Sequence, residues 1–260
     1  MNAFIVLAHP EPQSFNAHLA SLAGETLRQT GYNVEISDLY AQSFDPCEGP
    51  ERYPLLQDQQ FFDAQEQQRY SWDRNALPPA VSAEIEKVRR AELVIVQFPL
   101  WWFGMPAILK GWMDRVFVYG GLYTGAMRHD TGTCRGKRVL FCVTTGSSED
   151  ACSYDGQEGD TELILWPPMY AFRYLGFTVL QPFIIKGVRS GLYGLEKEQQ
   201  ETCLMNAADL YCAVLKDTDA RSVVQYNVAS DWMPNRKLKS GATVFSPFIR
   251  HHPSALARES

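Results

Sequence analysis

The sequence predicts a doubly wound α/β sheet, and three observations carry that prediction. Short, continuous apolar runs recur at residues 3–8 (AFIVLA), 92–98 (ELVIVQF), 137–144 (KRVLFCVT) and 177–185 (FTVLQPFII). Segments with helical apolar spacing lie between them. The first three runs each open into a loop of hydroxyl, amide, glycine or aromatic residues. Unbroken apolar runs mark strands covered on both faces, and strands alternating with helices give a parallel sheet.

Taken in order, strand 3–8 enters the polar turn HPEPQS. Phe15, Leu19, Leu22, Ala23 and Leu27 then follow at helical spacing, with Ser14 placed to cap the helix and Gly31 to stop it. Residues 33–39 read as a second strand. Residues 43–78 form a long polar insertion, and connections of that length are usually functional or covered by a partner. A helix is expected over 79–90, strand three over 92–98, and a helix over 105–118. That helix carries Ile108, Leu109, Trp112, Met113, Val116 and Phe117 on a core stripe, with Lys110, Asp114 and Arg115 on the opposite face. Strand four (137–144), a helix over 167–175 ended by Gly176, strand five (177–185) and a helix over 195–216 complete a domain of residues 1–216, built on five buried strands. Residues 217–260 have weak patterning, yet Trp232, Phe245 and Phe248 predict a C-terminal tail that packs on the domain or on a second copy.

Composition excludes several classes. The 260 residues carry a net charge of −6, with no basic patch able to track a phosphate backbone, so nucleic acid is not an expected partner. The most apolar stretch, 94–113, is interrupted by Gln97, Pro99, Pro106 and Lys110, so no membrane span is expected. No export signal is expected from the N-terminal segment, where no cationic residue precedes the apolar run. Six cysteines without a C-x-x-C pair and five scattered histidines predict free thiols, a cytoplasmic location and no metal. Cys142 and Cys212 read as small core residues. Dinucleotide (G-x-G-x-x-G), P-loop and G-x-S-x-G signatures are absent.

In a doubly wound sheet the ligand sits at the carboxyl ends of the strands, beside the switch in strand order. After strand one, AHPEPQSFN places Ser14 and Asn16 at a helix start. That arrangement is suited to a phosphate and equally explained by plain capping. After strand three, PLWWFGMP sets Trp101, Trp102 and Phe103 in a Gly/Pro turn, an apolar platform for a flat ring. After strand four, TTGSSEDACS offers backbone N–H groups to a polar ring edge, with Gly146 permitting close approach. Together the loops predict a site for a phosphorylated flat cofactor, a flavin better than a nicotinamide alone. The adjacent Glu149 and Asp150 read as a solvated charge pair.

Several of these segments resemble one family. SDLYAQSFDP (37–46), VIVQFPLWWFGMPAILKGWMDRVF (94–117), TTG (144–146), GD-x-x-x-ILWP (159–167) and the opening AHPEPQSFN (8–16) are similar to the NAD(P)H:quinone oxidoreductase (DT-diaphorase) family, from residue 3 to about 185, and are taken for a bacterial member. The resemblance implies a flavodoxin-like fold with strand order 2-1-3-4-5 and a homodimer with active sites at its interface. It also implies tightly bound FAD, with FMN less favoured, and two-electron reduction of quinones or similar flat aromatic acceptors by NADH or NADPH. By position, His9, Ser14, Phe15 and Asn16 would hold the FAD phosphates and ribityl chain. Pro99, Leu100, Trp102 and Phe103 would lie along the isoalloxazine, Trp101 belonging to the same platform, with Thr144, Thr145, Gly146 and Ser147 at its polar edge. Tyr123 would close the pocket from the partner subunit.

Departures from the family pattern accompany the likeness. Cys152 and Glu158 stand where the family carries a tyrosine and a histidine, and Gly125 replaces a second tyrosine at the pocket mouth. Tyr154 is the nearest phenol that could substitute. The expected catalytic set is therefore Gly146, Ser147, Glu158 and Tyr154, and the expected substrate pocket Trp102, Phe103, Tyr123 and Cys152. A carboxylate at 158 opposes an anionic flavin, leaving backbone N–H groups of residues 145–148 to hold its charge and implying slow flavin reduction. The alternative reading is a regulatory, redox-sensing flavoprotein with weak turnover.

Overall fold

The computed structural model describes residues 1–252. Contacts divide the chain into two units, Met1–Ser222 and Val223–Ser260. In the first, β1 (Asn2–Leu7), α1 (Phe15–Gln29), β2 (Asn33–Asp38), α2 (Ala64–Asp73), α3 (Pro79–Arg90), β3 (Leu93–Pro99) and α4 (Ala107–Val116) come first. They are followed by β4 (Arg138–Thr144), α5 (Thr161–Leu175), β5 (Thr178–Val179), β6 (Phe183–Ile185) and α6 (Gly194–Lys216). The sheet is parallel, in the order β2-β1-β3-β4-β5, with β6 also pairing β4. This is the doubly wound α/β sheet that the sequence pattern predicts, in the order that the resemblance implies.

The two faces of the sheet are chemically distinct. Ile5, Leu7, Ile95, Leu140 and Cys142 pack under α1 and α6, against Leu19, Ala23, Leu27, Tyr211 and Leu215. The other face is aromatic: Phe4 meets Trp112, Phe98 meets Phe141, and Phe172 meets Phe117, Phe141 and Phe177 edge to face. Such offset contacts add about 0.5–1.5 kcal/mol per pair beyond area burial. Glu84 of α3, only 2% exposed, is embedded beside them. It accepts hydrogen bonds from Ser37 Oγ (2.8 Å), Lys87 Nζ (2.6 Å) and Trp112 Nε1 (2.9 Å), tying β2, α3 and α4 together.

Four expectations need correction. Helix α5 begins at Thr161 rather than 167, because Asp160 caps it by accepting from Glu162 N and Leu163 N; Pro167 and Pro168 lie inside the helix. The single fifth strand is two short strands, interrupted before Pro182, which has no N–H for the ladder. Strand β2 is not buried on both faces but lies at the edge, half open to solvent. Arg115, expected at the surface, is buried: its guanidinium donates to Asp45 O (2.8 Å) and lies 5.9 Å from the centre of the Phe44 ring.

The same polar segment crosses α4 at Gly111, where a Cβ would come within 2.2 Å of Pro46 O. Residues 43–78 also hold α2, whose Gln68 donates to Asp114 O (3.1 Å) and accepts from Tyr119 N (3.0 Å). Cys142 is buried and Cys212 half-buried, where it accepts from Thr26 Oγ1. The second unit is held by its own bonds: Trp232 bridges Leu238, and Asn227 donates to Asp231 and to Thr243 O. The expected tail runs on to residue 260, and its residues 253–260 lie outside the described residues.

Candidate functional site

Strand register brings the three loops of interest side by side. Leu7 pairs with Gln97, Gln97 with Cys142, and Pro99 with Thr144, so β1, β3 and β4 end level. Ala8 N donates to Gln97 O and Leu100 N to Thr144 O, carrying the ladder one step past the strands.

At the end of β1, Ser14 caps α1 by accepting from Ala17 N (3.2 Å). The N–H groups of Phe15 and Asn16 make no hydrogen bond within the described residues. They face outward at the positive end of the helix dipole, an arrangement that attracts anions. His9 Nδ1 accepts from Glu11 N (3.0 Å), which leaves Nε2 to carry the proton. Asn16 is buried and donates through Nδ2 to Thr144 Oγ1 at 2.8 Å, joining the first loop to the fourth strand.

The end of β3 is a two-residue turn. Trp101 and Gly104 exchange backbone hydrogen bonds of 2.9 and 3.0 Å, while Trp102 (φ 50°) and Phe103 (φ 57°) both occupy the left-handed region. Such turns normally take Asn-Gly, and each bulky residue there costs about 1–3 kcal/mol. The result is an aromatic ridge. Trp102 is 97% exposed, Phe103 57% and Trp101 41%, the last with its ring centroid 6.0 Å from that of His9.

Beyond β4, Thr144 and Thr145 are buried, Ser147 is half-buried and Gly146 exposed. Not all the expected N–H donors are free. Thr145 N bonds Ile185 O (2.9 Å) and Ser147 N approaches Thr145 Oγ1 (3.4 Å), so among the described residues Gly146 and Ser148 keep the open donors. The following loop folds on itself. Cys152 N donates to Ser148 O and Glu149 O, Glu158 N donates to Ala151 O, and a Cβ on Gly156 would strike Asp150 O at 2.3 Å. Cys152 is buried, Tyr154 is 85% exposed, and half-buried Glu158 has no cationic partner among the described residues. Cys152 and Tyr154 line a polar cavity of about 550 Å³ with Asp160, Lys186 and Arg221.

Tyr123 is elsewhere in this chain. It accepts from Gln65 Nε2 (3.2 Å) and packs edge to face on Tyr119 and Tyr174. Burial holds its hydroxyl above the usual tyrosine range. With Pro167, Tyr170 and Tyr174 it lines an open groove of about 700 Å³ between α2, α4 and α5. This groove shares no lining residue with the Cys152 cavity, so one chain by itself does not bring the expected substrate-pocket residues together. At the groove's edge, His129 packs 4.8 Å from Tyr174; burial, Arg173 and Arg128 hold its pKa below the usual value.

Gln97 escaped the reading of the sequence, which treated it only as an interruption of an apolar run. Its signal was positional: Leu93, Ile95 and Gln97 share one face of a fully buried strand, where a third aliphatic residue would be expected.

The flavodoxin-like fold family matches residues 1–211. NAD(P)H dehydrogenase (quinone) 1 of Cavia porcellus is 40% identical over 188 residues, covering 72% of this chain and 68% of the relative. Human ribosyldihydronicotinamide dehydrogenase (quinone) is 38% identical over 182 residues, covering 69% of this chain and 79% of the relative. Among solved structures, a candidate quinone reductase from Klebsiella pneumoniae superimposes with a TM-score of 0.84 at 28% identity, covering 94% of this chain and 97% of that one.

Proposed function

The chain belongs to the NAD(P)H:quinone oxidoreductase family, built on the flavodoxin-like fold, and from that premise we propose that it reduces quinones or similar flat aromatic acceptors with NADH or NADPH, using FAD held at the ends of β1, β3 and β4. The observation that carries this reading is the convergence of two pairs of open N–H donors on either side of an exposed aromatic ridge. Phe15 and Asn16 supply one pair, Gly146 and Ser148 the other, and Trp101 to Phe103 stand between. A phosphate-bearing flat ring system satisfies all three features at once, and the residues present therefore fit the group.

His9, Ser14, Phe15 and Asn16 would hold the phosphates and ribityl chain without a cationic side chain, through helix N–H groups and the His9 Nε2 proton. Pro99, Leu100, Trp101, Trp102 and Phe103 would form the apolar wall, and Thr144, Thr145, Gly146 and Ser147 the polar edge. FAD, when bound, supplies two-electron hydride chemistry; the protein orients the reactants and excludes water. Gly146 and Ser147 would lie where charge develops, with Tyr154 and Glu158 in the adjoining loop. Trp102, Phe103 and Cys152 would contact the acceptor, with Tyr123 reaching the pocket from a second subunit. The open aromatic groove at Tyr123 is the surface that such a homodimer would use.

The test is to release and identify the chromophore, then mix the holoprotein anaerobically with NADPH and with NADH. Bleaching of FAD that recovers on adding a quinone supports the reading and names the donor. Bound FAD that stays oxidised favours a redox-sensing role, and protein that carries and binds no flavin overturns both.

A further inference from the structure

Gln97 is fully buried on the α1/α6 face and heads a line of hydrogen bonds that runs one way. Its Nε2 donates to Asn16 Oδ1 at 2.8 Å, and Asn16 Nδ2 donates to Thr144 Oγ1 at 2.8 Å. Two loose ends remain. Gln97 Oε1 is buried without a hydrogen-bond partner, and Thr144 Oγ1 makes no other hydrogen bond among the described residues. Because the Thr144 oxygen already accepts from Asn16, its own proton is the group left to give away.

The hydrogen bonds themselves give the direction of the line. Cys142, in register with Gln97 on the next strand, lies beside the amide, and Tyr211 of α6 lies on the other side of Cys142. Burial pushes the Cys142 thiol up to about 12 and raises the Tyr211 phenol as well, so both keep their protons at neutral pH. The amide is held with Nε2 toward Asn16 and with Oε1 buried and unpaired. Reversing both amides would turn the Thr144 proton inward and leave only lone pairs facing out.

We propose that Gln97 is a positioning residue: through Asn16 it orients the Thr144 hydroxyl as an outward donor to the flavin. The inference rests on the flavin reading above and deepens it. Gln97 touches no ligand; it acts by fixing which of two equally shaped hydrogen-bond patterns the site presents, and neighbouring polar groups in such chains reinforce each other.

The experiment is a double-mutant cycle in the full chain, read by titrating FAD into flavin-free protein and following fluorescence quenching. Gln97→Leu is expected to weaken FAD binding about tenfold, but less than about twofold in a Thr144→Val background, where the hydroxyl it orients is gone. Equal losses in the two backgrounds, or no loss in either, would overturn the proposal. Gln97→Glu gives a second readout and carries the test alone if Gln97→Leu does not fold. A protonated carboxyl donates to Asn16 as the amide does, whereas an ionised one only accepts and turns Asn16 around. Near-parental affinity at pH 5.5 and at least tenfold weaker binding at pH 8.5 are expected, against the parent's own profile. Cys142 from β4 and Tyr211 from α6 keep their protons over that interval, and His9 and His18, beside or on α1, are common to both proteins and cancel. A loss independent of pH would overturn the proposal. A parent chain that binds no FAD sinks the functional reading itself; a parent that binds FAD as tightly as its Gln97 variants sinks only this inference.

Discussion

Two buried polar networks, one on each face of the sheet, differ in how completely they are satisfied. On the aromatic face, the Glu84 carboxylate accepts from Ser37, Lys87 and Trp112, and Lys87 also donates to Ser37 Oγ; both carboxylate oxygens are used. On the aliphatic face, the Gln97–Asn16–Thr144 line ends in an unpaired carbonyl at one side and an uncommitted hydroxyl at the other. The closed network holds three elements in place, while the open one lies at the level strand ends where a ligand is expected. An unpaired buried atom costs about 1–3 kcal/mol, a cost that Gln97 bears at those strand ends.

Stability measurements can break this contrast. Glu84→Ala strips the partner from a half-buried lysine, a buried serine and a buried indole, and is expected to cost about 3–5 kcal/mol in chemical denaturation. FAD affinity of the folded fraction should stay unchanged; a joint loss would mean the two networks are not separate. Trp112→Phe, which removes one donor and keeps the ring packing, should cost about 1–3 kcal/mol. Gln97→Leu should move the stability of the flavin-free chain by only about 1 kcal/mol, since losing the unpaired carbonyl offsets the donor lost to Asn16. A cost as large as that of Glu84→Ala would remove the distinction.

Smaller effects sharpen the same picture. Trp102→Gly relieves a bulky residue from the left-handed region and should stabilise the flavin-free chain by about 1 kcal/mol while weakening FAD binding. Gains in both would show that the ridge does not serve the ligand. His129, whose folded pKa lies below 6.5, binds its proton more readily when unfolded. Its contribution to stability is therefore present above pH 6.5 and declines as pH falls below it. An NMR titration midpoint above 6.5 would contradict the burial and the two arginines that depress it.

Much of the fold was legible because continuous apolar runs and glycine stops leave few alternatives to a parallel sheet. What stayed hidden follows from how single residues are read. Two successive prolines in 161–175 suggest a helix start, yet Asp160 with Glu162 in the first turn is the stronger signal. A cation on an amphipathic helix suggests solvent, but Arg115 is wanted inside by the Asp45 carbonyl, which only the fold brings near. At the site, the aromatic turn and the capped helix could be seen in the sequence. The strain at Trp102 and Phe103 could not, because left-handed dihedrals at those two residues have no sequence signature.

The interruption of the last strand bears on the behaviour of the protein at high concentration. An open sheet has two free edges, and a long flat edge is a template on which another molecule's strand can add. Here one edge is split into pieces of two and three residues around Pro182, which offers no N–H to a neighbour. The other edge carries Glu35, paired to Arg90 at 3.0 Å, so an incoming strand would meet charge. Both edges thus discourage strand-to-strand growth of a sheet whose interior is largely apolar.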